Sequence, residues 1–371
     1  MAHGRVMAAM SGGVDSSVAA ALLLEQGYEV IGVGLRLGDG SSGVSTCCGM
    51  GDLQDARAVA AQIGIPFYIL DYRKAFRRDV VGPFCEAYAK GRTPNPCILC
   101  NEYIKFGRLL KLALALGMDY MATGHYAGVR HGPDESLFLC RGMDLEHDQS
   151  YFLYSLSRQQ LAHALFPLQG LQKGCVRELA RRYGFPVADK PSSQDICFVG
   201  SDGYRHLVAQ SHPEALRPGP IVDTQGHVLG RHRGLGAYTI GQRRGLGVAA
   251  GERLYVVALD FSRNAIVVGT QQEAQNRILH LERVCWHGQA WPTTPIALWA
   301  KARYRGKMVR AEVCAAEDGL QVTFEEPQAV APGQAVVFYE GEIVLGGGVV
   351  SVPSPSACAE HVEREGCAIH G

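Results

Sequence analysis

An α/β fold, with an amino-terminal doubly wound parallel sheet followed by two β-rich domains, is the class this sequence predicts. Three observations carry it. The first half repeats one unit, in which a helical stretch closes on Gly and an apolar run follows at once. Gly27 precedes Tyr28 to Leu35, Gly64 precedes Ile65 to Leu70, Gly117 precedes Met118 to Thr123, and Gly184 precedes Phe185 to Ala188. Gly ends helices because it turns left-handed without a Cβ penalty, and short apolar runs between helices read as buried parallel strands. After about residue 204, short alternating runs such as Tyr255-Val256-Val257 and Ala265 to Val268 take over and helical periodicity fades. Finally, 371 residues with 47% apolar and 19% charged content supply several cores and exclude wholesale disorder.

The expected divisions are 1–203, the α/β domain; 204–274, a central β-rich domain; and 275–352, a β-barrel-like domain. Residues 353–371 begin with Pro353-Ser354-Pro355-Ser356 and read as a linker and disordered tail. Lys+Arg and Asp+Glu both number 36, so a bulk basic footprint for nucleic acid is excluded and any such site is a local patch. No apolar run approaches the length of a membrane span and the start lacks a signal-peptide pattern, so a cytoplasmic protein is expected. In that compartment twelve cysteines point to catalysis or metal binding rather than structural disulfides. Cys140, Cys175, Cys285 and Cys314 stand singly among apolar neighbours and read as core.

The first strand, Arg5 to Met10, runs into Ser11-Gly12-Gly13-Val14-Asp15-Ser16-Ser17 and then a helix. Two glycines let the backbone wrap an anion, the helix start offers N–H groups, and the serines add hydroxyls. Asp15 is placed to hold Mg²⁺ on bound phosphates. A Gly-rich turn with a Ser/Asp cap is common, but this one follows the first strand, at the carboxyl end where open α/β sheets bind ligands. The missing Gly-Lys-Ser/Thr ending excludes a Walker A loop. The string resembles the PP-loop of the ATP pyrophosphatases, which cleave ATP between the α and β phosphates and adenylate a substrate oxygen.

Thr93-Pro94-Asn95-Pro96-Cys97-Ile98-Leu99-Cys100-Asn101 is the second informative stretch. Its prolines fix an extended entry, Asn101 is the expected cap of a following helix, and Leu109, Leu112 and Leu116 give that helix an apolar stripe. This puts Cys100 at a helix start near Lys105, an environment that favours the thiolate. Cys97-x-x-Cys100 is open to three readings: half a zinc site, a redox pair, or a thiol pair completed by a distant partner. Cys197 is the candidate partner, although a cysteine in such an apolar run is more often core.

Together the segments become specific. Ser11 to Ser17, Thr93 to Asn101, Ala122 to Tyr126, Asp148 to Leu153, Ile196-Cys197-Phe198, Tyr238 to Arg243 and Pro332-Gly333-Gln334 occur in an order that resembles the tRNA-specific 2-thiouridylase family. The resemblance implies ATP on Ala9, Met10, Ser11, Gly12, Gly13, Val14, Asp15, Ser16, Leu35 and Gly124. It implies that Asn95, Pro96 and Cys97 face the target base. Cys100 would be the nucleophile and Cys197 the persulfide carrier. His125, His147, Asp148, Gln149, Arg303, Tyr304 and Gln334 would contact tRNA. The substrates would be the wobble uridines of tRNAs for Lys, Glu and Gln, thiolated at C2, with a cysteine desulfurase or a persulfide relay protein as sulfur donor. Where some members have Asp, this chain has Cys97, so a [4Fe–4S] cluster on Cys97, Cys100 and Cys197 stands beside the persulfide route. Another adenylating synthetase for small molecules, or a non-catalytic RNA-binding iron–sulfur protein, would leave either the cysteine stretch or the phosphate loop unexplained.

Lys301, Arg303, Arg305 and Lys307 alternate around Tyr304, and on a strand would form one cationic face for phosphates. Arg231-His232-Arg233 and Arg243-Arg244 form a second basic cluster. Cys358, His361, Cys367 and His370 have zinc-like spacing but read as incidental in a tail, and Cys47-Cys48 are either reactive or packed.

Overall fold

The computed structural model describes residues 3–38, 49–132, 136–191, 196–200, 203–248, 251–288 and 290–352. Cys47, Cys48 and the tail with Cys358, His361, Cys367 and His370 lie outside them, as do Ser192 to Asp195 just before Cys197.

Strands β1 (Arg5–Ala9), β2 (Glu29–Arg36), β3 (Phe67–Asp71), β4 (Tyr120–Ala122) and β7 (Ala164–Leu165) form one sheet in the order β3-β2-β1-β4-β7. Every pairing in it is parallel. Helices α1 (Val14–Glu25) and α2 (Met50–Gln62) connect the first strands, and a helix at Lys173–Arg182 packs beside α1. The chain leaves β1 toward β2 and β3 and later returns to β4 on the other side, so the strand order reverses between β1 and β4. A ligand crevice opens at such a switch point.

Three of the four Gly-then-apolar units become β2, β3 and β4. The fourth does not: Phe185 to Ala188 forms buried turns, with Phe185 and Val187 in the core beside Ala180 and Val176. The fifth strand is instead the two-residue β7, too short to leave a pattern in the sequence.

Beyond residue 203 a further helix, Tyr204–Ser211, precedes the β-rich region where fading helical periodicity predicted none. β8 (Gly219–Val222), β9 (Val228–His232), β10 (Tyr255–Asp260) and β11 (Ala265–Gly269) form a sheet ordered β10-β11-β8-β9. β12 (Asn276–Trp286), β13 (Ile296–Lys301), β14 (Val309–Ala316), β15 (Gly319–Gln328), β16 (Ala335–Glu340) and β17 (Ile343–Val350) are antiparallel and close through β12–β17 pairing into a six-stranded barrel. β5 (Ala127–His131) and β6 (Leu137–Arg141), from the first half of the chain, extend its sheet from β17.

Candidate active site

β1 ends at Ala9, and the backbone turns through Ser11, Gly12 and Gly13 into α1. Gly12 has φ +74°, and a Cβ there would lie 1.9 Å from the Asp52 carbonyl oxygen, so only glycine fits. The Ser16 and Ser17 hydroxyls donate back to the Gly13 carbonyl at 3.2 and 2.9 Å, and the Ser11 amide donates to Ser16 Oγ at 3.1 Å. The serines thus stiffen the loop while the start of α1 offers its N–H groups to an anion. Gly124, just past β4, comes so close that a Cβ would meet the Ser16 amide nitrogen at 2.6 Å. Met10, Val14 and Leu35 are buried beneath or beside the loop.

Asp15, expected to hold a metal, is engaged by protein groups. Tyr126 donates its hydroxyl to it at 2.8 Å, and Lys173 Nζ lies 2.6 Å from both carboxylate oxygens. A second ammonium, Lys190 Nζ, donates to the Gly12 carbonyl at 3.0 Å, to Asp52 at 2.6 Å and to Asp55 at 2.7 Å. Neither lysine was legible as a site residue, because no local motif surrounds it and each lies more than 150 positions from the loop it touches.

The cysteine stretch departs from expectation in its cap. The helix starts at Pro96, and Asn95 caps it: its Oδ1 accepts from the Cys97 amide at 3.1 Å. Asn101, the predicted cap, sits inside the helix at 2% exposure and donates from Nδ2 to the Phe152 carbonyl at 3.0 Å. Helical structure continues through a π-helical stretch, Cys100–Leu109, into Leu110–Ala115. The wider turn moves the apolar stripe to Ile104, Leu109, Leu110 and Ala113, leaving Leu116 exposed. Cys97 therefore occupies the first turn and is exposed, whereas Cys100 is one turn in and buried.

All three parts of the chain brace this entry. The Thr93 amide donates to the Pro332 carbonyl at 2.7 Å, and Gln334 Nε2 donates to the Thr93 carbonyl at 2.7 Å. Thr93 and Thr239 hydroxyls share a hydrogen bond of 3.1 Å. Gly333 at φ +89° leaves 3.0 Å between a hypothetical Cβ and the Thr93 nitrogen. A cleft of about 440 Å³ opens behind this helix, lined by Asn95, Ile98, Leu99, Glu102 and β12 residues Glu282 to Cys285, but by neither Cys97 nor Cys100.

Cys197 packs against the same apolar cluster that contains Cys100, and its neighbour Phe198 meets Phe76 and Phe84 edge-on. Among the described residues, no three His, Cys, Asp or Glu side chains are arranged to hold a metal ion. Burial pushes the thiols of Cys85 and Cys140 up and that of Cys285 to about 11, consistent with inert core cysteines. Cys175, read as core, is instead exposed.

His125 follows Gly124, near the rings of Phe106 and Phe166, and shares a 2.7 Å hydrogen bond with Thr123. Burial, then the Lys105 charge, holds its imidazole well below the usual range, so it is neutral at pH 7. His147 is half-exposed and pairs with Asp144 at 3.0 Å. Asp148 turns inward: at 2% exposure its carboxylate accepts from the Gly142 and Ser150 amides, the Ser150 hydroxyl and Arg141. Gln149 Oε1 accepts from the Tyr126 amide.

The expected cationic strand ends early. β13 stops at Lys301 and residues 302–306 bend through turns, yet Arg303, Arg305 and Lys307 remain exposed. Tyr304 packs against Phe152 with the rings tilted by 41° and their centroids 4.3 Å apart, under Lys301. Its phenol is pushed up by burial, then by Asp148, with a further contribution from the Cys97 thiol, which places the barrel tyrosine within electrostatic reach of the cysteine helix.

Three family models cover the chain in sequence: a tRNA methyl transferase HUP domain over 4–201, a tRNA methyl transferase PRC-barrel domain over 205–270, and an aminomethyltransferase beta-barrel domain over 276–350. A tRNA-specific 2-thiouridylase of Magnetococcus marinus is 50% identical over 350 residues, spanning 93% of this chain and 98% of that protein. One from Moorella thermoacetica is 48% identical over 357 residues, again spanning 93% and 98%.

Proposed function

The chain belongs to the tRNA-specific 2-thiouridylases, and on that premise we propose a reaction path through the residues described above. The enzyme is an ATP-dependent sulfurtransferase acting on tRNA. The observation that carries this reading is 50% identity to a 2-thiouridylase across nearly the whole of both chains.

ATP lies along Ala9 to Ser16, flanked by Leu35 and Gly124, at the switch point between β1 and β4. Uridine 34 flips out of the anticodon stack toward Asn95, Pro96 and Cys97. Its O2 attacks the α-phosphate, pyrophosphate leaves, and AMP is now bonded through O2. The terminal sulfur of a persulfide on Cys197 attacks C2, and AMP departs with the oxygen. The Cys100 thiolate then attacks Cys197 Sγ. That breaks the bond between Cys197 and the transferred sulfur, frees 2-thiouridine and leaves a Cys100–Cys197 disulfide, which an external thiol reduces. Mg²⁺, when bound, screens phosphate charge, and Asp15 is the residue that would hold it. The sulfur comes from a cysteine desulfurase or a persulfide relay.

Half-exposed His147 and exposed Arg303 are the side chains that face tRNA directly. Asp148 and Gln149 contribute by holding their loop, and Gln334 by holding Thr93. The protein acts in the cytoplasm, and no helix among the described residues is long and apolar enough to cross a membrane.

Purified enzyme with Cys100→Ser, and separately Cys197→Ser, is expected to lose ATP-dependent thiolation of wobble-uridine tRNA, read as 2-thiouridine by mass spectrometry of digested tRNA. Thiolation retained by either variant at near the parental rate would refute the assigned roles.

A further inference from the structure

A loop built to bind an anion is ringed here by three carboxylates, those of Asp15, Asp52 and Asp55. Each is occupied by an ammonium. Lys173 Nζ, on a side chain only 12% exposed, lies 2.6 Å from both oxygens of Asp15, the residue in the first turn of α1. Lys190 Nζ reaches the Gly12 carbonyl within the loop itself, together with Asp52 and Asp55 in the first two turns of α2. Both lysines arrive on remote segments and are held in place there. The Lys173 amide donates to Asp144 at 2.8 Å, and Arg177 donates to the Ala188 and Lys190 carbonyls at 3.1 Å each. Part-buried ion pairs return little net stability once the desolvation of both charges is counted. Their concentration on the one loop that must accept several negative charges calls for another account.

We propose that Lys173 and Lys190 are the counter-charges of the ATP polyphosphate and of departing pyrophosphate. The carboxylates hold the two ammonium groups at the loop. When the triphosphate enters, each lysine turns its donors from carboxylate oxygens to phosphate oxygens. A lysine suits this exchange, since its flexible stem carries three donors on a point charge and can keep one partner while gaining another. The same groups stabilise pyrophosphate as its charge grows on leaving the α-phosphorus. They are positioned for the outer phosphates because they meet the loop and the start of α1, which grip the phosphates rather than the base.

The inference rests on ATP binding in this loop, and one titration series separates the two. Binding of a non-hydrolysable ATP analogue, AMP and inorganic pyrophosphate is measured by calorimetry with the whole enzyme, its Lys173→Met and Lys190→Met variants and the corresponding Arg variants. Failure of the parental enzyme to bind the analogue would remove the ATP reading itself. Given parental binding, each Met variant is expected to weaken the analogue and pyrophosphate by about tenfold to a hundredfold, the range for losing a charge-assisted contact. AMP affinity should stay within about twofold. The Arg variants should recover most of the loss. If the Met variants bind the analogue as well as the parent, or lose AMP and analogue affinity equally, the lysines are only structural staples and the proposal is wrong. Lys173 and Lys190 sit on different segments, so a folding defect in one variant, seen in its melting curve, leaves the other decisive.

Discussion

At Gly12, positive φ and a 1.9 Å approach to the Asp52 carbonyl act together. Gly12→Ala must therefore shift the loop or the start of α2. Left-handed strain alone costs about 1–3 kcal/mol, and the clash adds to it. The variant is expected to melt lower and to lose nucleotide binding, read by thermal melting with and without ATP. A melting point and ATP-induced rise equal to the parent's would show that the loop is not so tightly set. Buried histidines set a different single-residue behaviour. His232 and His287 are 2% and 4% exposed, and burial, their largest influence, holds both imidazoles below the usual range. As pH falls below about 6.5 the unfolded chain takes up protons that the native state refuses, so each site costs up to ~1.4 kcal/mol of stability per pH unit until its folded pKa is reached. His287→Gln should therefore lose less stability than the parent between pH 7.5 and 5.5 in urea unfolding. Equal losses would mean that His287 protonates in the native state.

At the scale of the element, the cysteine helix shows what a linear pattern can and cannot carry. Pro94 and Pro96 announced an extended entry and a helix, and both are present. The cap was misplaced because Asn95 and Asn101 are equally good capping residues by type, and only the Cys97 amide identifies the one in use. The buried stripe departs from the Leu109, Leu112 and Leu116 spacing because a π-helical stretch resets the helical period. Likewise the Gly-rich turn from β1 into α1 is legible in its string, whereas the approach of Lys173 and Lys190 to it is not, since that relation exists only after folding. The brace on Thr93 is of the same kind. Gln334 reads as a tRNA contact by resemblance, yet it donates to the Thr93 carbonyl at the entry of the cysteine helix. If its role is positioning, Gln334→Ala should lower the thiolation rate about tenfold, the scale of a small misplacement at a reacting centre, while tRNA affinity in a filter-binding assay stays near parental. A tRNA Kd that rises as steeply as the rate falls would make direct contact the better description.

Over the whole molecule, the expected division into an α/β domain and a barrel underestimates how far they share one interior. Ala335, Val337, Tyr339 and Val344 of β16 and β17 belong to the same buried cluster as Phe84, Cys100, Phe106 and Tyr151 from the first half. Tyr151 donates its hydroxyl to the Ala335 carbonyl at 2.8 Å, β6 pairs with β17, and Arg130 reaches Glu342 at 2.7 Å. The sequence hid this because β5 and β6 lie in the first half, where the repeated Gly-then-apolar unit drew attention to the parallel sheet. The consequence concerns cooperativity. A barrel tied to its neighbour only by a linker would melt on its own, whereas one that supplies part of the main cluster unfolds with it. Scanning calorimetry of the full chain is expected to show the barrel and the parallel-sheet region melting in one transition. Deleting residues 275–352 should leave the remaining protein with that cluster exposed, insoluble or unable to bind ATP, because the wall behind Tyr151 is gone. Two well-separated heat-absorption peaks, together with a soluble, ATP-binding fragment, would show that the shared cluster contributes little and that the cysteine helix can be held without the barrel.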